Sequence, residues 1–217
     1  MDIQKSLLQK GIPTRWQPDY TRTNRILHMP HIPLPDHLPG ITGLLEYRLD
    51  TAMPIRELTQ ILLRGESTLT QGERELIASL VSSRNCTRFC TAAHTKAADI
   101  LLGEDQTARA VLADPETAPV SEKMKALLQI AAQTQAPGSA VTEEAVERAR
   151  KAGATDREIH DTVLIAALFC LYNKYVDGLA TVAPADPAYY DILGDRIVHR
   201  GYVRPPGGYP APAKTNG

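Results

Sequence analysis

The chain has little of what would stabilise a small secreted fold: three cysteines in 217 residues, one tryptophan, two phenylalanines and an aromatic share of 5%. Three cysteines are too few for a disulfide framework, so apolar packing must hold the structure together. No apolar run reaches the roughly 18 residues of a membrane span, and the start MDIQKSLLQK lacks the apolar core of a secretory signal. A cytoplasmic location is the default expectation. Charge of one sign is also missing. With 24 basic against 25 acidic residues and a net charge of −1, nothing electrostatic recruits nucleic acid or an anionic membrane. No stretch shows convincing period-two alternation, so the expected fold class is all-α. What is present, 43% hydrophobic and 23% charged residues, is the composition of an ordinary globular protein.

Proline divides the chain. Residues 1–10 could form a short amphipathic helix carrying Ile3, Leu7 and Leu8, and then Pro13, Pro18, Pro30, Pro33, Pro35 and Pro39 deny any long helix. This N-terminal arm, residues 1–39, carries Trp16, Tyr20, Ile26, Leu27 and Met29, too much apolar surface for a solvated linker. It is expected to bury Trp16 and several of Ile26, Leu27 and Met29 against the body or another subunit. His28, His31 and His37 sit among its prolines and read as solvated or locally bonded. Residues 40–200 form the helical domain, and the proline- and glycine-rich tail 201–217 is helix-averse.

Within the domain, helical spacing begins at Ile41, and Pro54 marks the expected junction with a helix carrying Leu58, Ile61, Leu62 and Leu63, ended by Gly65. Thr70-Gln-Gly-Glu73 and Thr155-Asp-Arg-Glu158 read as capping boxes that start two apolar helices. Asn85 is the expected N-cap of the helix between them, which stops near Gly103. Further helices are expected near 105–113, 121–135, 142–153 and 189–198. The second box opens a long helix to about Leu179, with Cys170 inside its apolar run as a core residue. GERELI also echoes TDREIH: Cys90 and Asn173 lie fifteen residues beyond Glu75 and Glu158, and His94 and Asp177 nineteen beyond, as a duplicated two-helix unit would give.

The chemistry concentrates where Cys86, Cys90 and His94 recur at spacings of four. On a continuous helix they would form one row. Three readings fit that row. Cys and His are zinc ligands, but positions 86 and 94 would lie about 12 Å apart, too far to share one ion. The cysteines could be small buried hydrophobes beside a satisfied histidine. Or an imidazole one turn from a thiol, near a helix N-terminus, could favour the thiolate of a redox centre.

The run Glu75, Asn85, Phe89-Cys90, Ala92, His94 resembles the signature of the carboxymuconolactone decarboxylase and alkylhydroperoxidase D-like superfamily: a helical glutamate, Cys-x-x-Cys, then three residues and a histidine. The resemblance covers roughly residues 40–182. One position departs from it. The first cysteine of that signature would fall at 87, where this chain has Thr87, and Cys86 stands one residue earlier. The resemblance implies a thiol-dependent peroxidase and a homo-oligomer, with no metal or organic cofactor. In that reading Cys90 attacks a hydroperoxide, Cys86 condenses with it, Glu75 and His94 pass protons, and an external dithiol resets the pair. It also implies that Glu75, Cys90 and His94 converge on one pocket between the 70–84 helix and the motif helix. Two alternatives stay open: a decarboxylase of a muconolactone-like acid, a branch that generally lacks the cysteine pair, and a non-catalytic helical oligomer.

Overall fold

Side-chain caps set where most of the helices begin. In the computed structural model, which describes residues 29–211, Thr70 and Thr155 both complete capping boxes with the glutamates three residues on. Ser121, Thr142 and Asp186 each accept a backbone N–H of the turn they open. The described residues form nine α-helices, one 3₁₀ turn at Gly138–Ala140 and no strand: α1 (Ile41–Tyr47), α2 (Leu49–Arg64), α3 (Gln71–Arg84), α4 (Arg88–Leu102), α5 (Thr107–Ala113), α6 (Glu122–Gln135), α7 (Glu143–Lys151), α8 (Asp156–Gly178) and α9 (Pro187–Arg200). The all-α expectation holds. None of these helices is long and apolar enough to cross a membrane.

Two apolar clusters carry the packing. The larger joins α3, α6 and α8 through Leu76, Ile77, Leu80, Met124, Leu127, Ile130, Ile165 and Phe169, all enclosed. The smaller joins α4 to α9 and the segments around them, with Phe89, Cys90, Ala93 and Ala97 facing Tyr190, Leu193 and Ile197. Small residues allow that approach: a Cβ at Gly194 would stand 2.7 Å from Cγ of Lys96.

Several local expectations are corrected. Pro54 lies inside α2, and the break falls at Arg48 instead. Pro54 and Asp50 are both exposed, so water can replace the donor that the Asp50 carbonyl loses to the ring. Asn85 caps the C-terminus of α3, not the N-terminus of α4, whose N-cap is Thr87. The row 86–90–94 is therefore not one helical row, because Cys86 precedes α4. The duplication is not mirrored locally either: α3 and α4 are broken by a turn where α8 runs on, and the capping glutamate of the first box is Glu73, not Glu75.

Helix 1–10 and the burial of Trp16, Ile26 and Leu27 lie outside the described residues. Met29 is 79% exposed in the single chain, and two residues on the N–H of His31 donates to the Leu179 carbonyl at 3.0 Å. His37 departs from the expectation of a solvated or locally bonded ring: its Nε2 lies 3.2 Å from the carbonyl of Tyr209 in the tail, 172 positions away.

Candidate active site

The turn between α3 and α4 prepares the site. The N–H of Thr87 donates to the Ser82 carbonyl and the N–H of Cys86 to that of Ser83, the paired bonds of a Schellman motif. Cys86 occupies its left-handed position, φ 59°, where glycine is the usual residue. Its side chain is exposed, whereas Cys90, in the first turn of α4, is 2% exposed. All three cysteines are free thiols.

Glu75 is fully enclosed on α3, and each of its oxygens is engaged. Oε2 lies 2.7 Å from Nδ1 of His94 on α4. Oε1 accepts from Arg64 of α2 at 2.6 Å and from the hydroxyl of Tyr202 at 2.6 Å. Burial pushes this carboxyl up, but the charge and hydrogen bond of His94, the Arg64 guanidinium and the Tyr202 hydroxyl together hold it below its ordinary range. Burial and the Glu75 charge raise the Tyr202 phenol well above its ordinary value, so it remains a donor. The His94 ring stands edge-on to Phe169 at 4.5 Å, which fixes its plane.

Cys90 and His94 line one cavity of about 60 Å³. It does not lie between α3 and α4 as the sequence suggests. It is walled by α1, α2, α4, α8, α9 and the tail, with Glu75 enclosed and not lining it. Cys86 does not line it either. The thiolate expected from the helix dipole and the histidine is also overturned. Burial pushes the Cys90 thiol up to about 12; a hydrogen bond with Asn173 works against this, and the Asp177 charge adds to it. In so apolar a cluster, desolvation outweighs the dipole.

Neither Arg64 nor Tyr202 stands out in the sequence. Arg64 reads as an ordinary cation in the last turn of a helix, and Tyr202 belongs to a helix-averse tail. A glycine makes the tail's return possible: Gly201 has φ 63°, and a Cβ there would stand 2.3 Å from Oε1 of Gln60, which accepts the Tyr202 N–H at 2.8 Å.

No family model matches the chain, and no curated protein matches it. Solved structures do. An uncharacterised peroxidase-related protein from Silicibacter sp. TM1040 aligns with a TM-score of 0.64 at 25% identity, over 74% of this chain and 90% of that one. The alkylhydroperoxidase AhpD core of an uncharacterised peroxidase-related protein from Ralstonia eutropha JMP134 aligns with a TM-score of 0.65 at 23% identity, over 77% of this chain and 95% of that one. The chain shares the all-helical fold of these two structures.

Proposed function

We propose that the chain is a thiol-dependent peroxidase in which Cys90 reduces a small hydroperoxide. The observation that carries this reading is the enclosed Glu75–His94 pair at 2.7 Å, whose imidazole lines the same cavity as Cys90. Glu75 holds Nδ1, which leaves Nε2 as the ring nitrogen available for proton transfer. Because Cys90 rests as a thiol, His94 takes its proton as the sulfur attacks the distal peroxide oxygen. The O–O bond breaks, the sulfur is oxidised to a sulfenic acid, and His94 returns the proton to the leaving oxygen, giving water or an alcohol. Cys86 then condenses with the sulfenic acid, releasing water, and an external dithiol reduces the disulfide. Stopped-flow consumption of hydrogen peroxide by the reduced protein, with Cys90→Ser as control, tests the assignment. Consumption unchanged in the variant would remove Cys90 from the chemistry.

One observation favours a second reading. A thiol pushed up to about 12 is a poor nucleophile at neutral pH, so Glu75 and His94 could instead move a proton on a small lactone acid while Cys90 only fills space. Decarboxylation of such an acid that survives Cys90→Ser but not His94→Asn would mark this case.

A further inference from the structure

We infer that the cavity beside Cys90 binds the carboxylate of a small organic acid, so that the hydroperoxide it takes is a carboxylate-bearing one. The inference rests on the peroxidase reading only for the peroxide end of the ligand. The carboxylate site stands on Arg56 and Arg196, which both line the cavity.

Arg56 is 6% exposed, and its Nε is buried without any hydrogen-bond partner. Its remaining contacts are long: Nη1 reaches the Tyr202 carbonyl and the Tyr209 hydroxyl at 3.4 Å each, and Nη2 reaches Glu46 at 3.3 Å. Glu46 is committed elsewhere, since Arg204 holds it through both of its oxygens at 2.8–3.0 Å. One carboxylate thus serves two guanidiniums, and Arg56 has the weaker share. A buried cation with an unused donor is costly unless an anion meets it.

The second cation has no carboxylate partner among the described residues. Arg196 of α9 stacks on the Tyr209 ring, its Cζ 4.9 Å from the centroid, and Arg56 stands 5.7 Å from the same centroid. Tyr209 therefore spaces two guanidiniums at one cavity, whose remaining walls are largely apolar, with Leu45, Phe89 and Ile197 among them. A carboxylate suits this arrangement: it accepts from both forks, while a short apolar body reaches along the wall toward Cys90.

The test is a titration of the full reduced chain with sodium acetate at constant ionic strength, read from the arginine Nε–H resonances. Acetate contains nothing for Cys90 to reduce, so the result is independent of whether the chain consumes peroxide. The expected result is a saturable shift of the Arg56 resonance that the neutral isostere acetamide does not produce. Arg196→Gln, on the less buried of the two positions, is expected to weaken acetate about tenfold or more, as loss of a charge-assisted hydrogen bond does. An Arg56 resonance that does not move, an equal response to acetamide or chloride, or undiminished affinity in Arg196→Gln would each overturn the assignment.

Discussion

The phenolic oxygen of Tyr202 stands 2.6 Å from Oε1 of Glu75, although 127 positions separate the two residues. The proline-rich tail therefore completes the hydrogen bonding of a carboxylate whose other oxygen holds His94. Tyr202→Phe removes one hydroxyl and little else. With a donor gone, the Glu75 pKa rises, so the acid limb of a pH profile that needs ionised Glu75 moves to higher pH. We expect kcat/KM for hydrogen peroxide to fall about tenfold, the worth of one hydrogen bond to a charged group. An acid limb that stays in place would take Tyr202 out of the relay.

Burial of Cys90 sets a second expectation. A thiol pushed up to about 12 by desolvation should react with iodoacetamide about tenfold faster for each pH unit between 7 and 10, without a plateau. Peptide mass spectrometry should find exposed Cys86 labelled first. His94→Asn should abolish the peroxide reaction yet leave this slow alkylation as it is. A plateau below pH 7.5 would mean that Cys90 rests as a thiolate.

Cys86 carries local strain, because a residue with a Cβ at φ 59° gives up about 1 kcal/mol relative to glycine. Cys86→Gly should accordingly raise stability by about that amount in urea unfolding. Cys86 is exposed on the turn before α4 whereas Cys90 is buried in its first turn, so bonding Cys86 to Cys90 requires the turn at 85–87 to open. The strain makes opening easier. After one equivalent of peroxide, the natural chain should form the 86–90 disulfide slowly, and Cys86→Gly should stop at a sulfenic acid. A lasting sulfenic acid with Cys86 free in the natural chain would exclude Cys86 from the cycle.

What was legible in the sequence was local. Thr70 with Glu73, Thr155 with Glu158, and Gly103 after Leu102 fix helix ends through bonds a few residues long, and these agree with the structure. The resemblance to the glutamate, cysteine and histidine signature pointed to the Glu75–His94 pair that forms. Pro54 misled because a proline near a helix start is tolerated when the orphaned carbonyl faces water. Arg64 and Tyr202 were hidden for another reason. Their contacts with Glu75 depend on how α2 and the tail pack against α3, which no short-range pattern encodes.

Glu158 offers a test of stability against pH. Burial raises its pKa, but Lys123 at 2.8 Å, the Thr155 N–H and the Thr68 hydroxyl outweigh this and hold it at about 2, against an ordinary 4.5. A carboxylate depressed in the folded state stabilises the fold above its unfolded pKa and loses that contribution as pH falls through the folded one. The stability difference between the natural chain and Glu158→Gln should be full at pH 7 and shrink from about pH 4.5 to pH 2. Urea unfolding at a series of pH values measures it, and a difference that ignores pH would show that Glu158 acts only through shape.

Glu75 poses the problem that a buried carboxylate can be structural and chemical at once. Glu75→Gln would take from the Arg64 guanidinium its only carboxylate partner among the described residues; that side chain is 6% exposed, its Nε already has no partner, and only the Leu63 and Ile197 carbonyls would remain to it. Breaking a buried pair from one side costs about 3–5 kcal/mol, so lost activity in this variant would prove nothing about proton transfer. Replacing both partners avoids the stranded charge. Arg64→Met with Glu75→Gln removes anion and cation together, and such apolar replacements are often near neutral for stability. We expect the double variant to regain most of the stability that Glu75→Gln loses. The peroxide reaction should not return with it, because the glutamine can neither orient His94 as a carboxylate does nor stabilise the imidazolium, a role worth about a hundredfold or more. If rate and stability recover together, Glu75 holds the fold and takes no part in the chemistry.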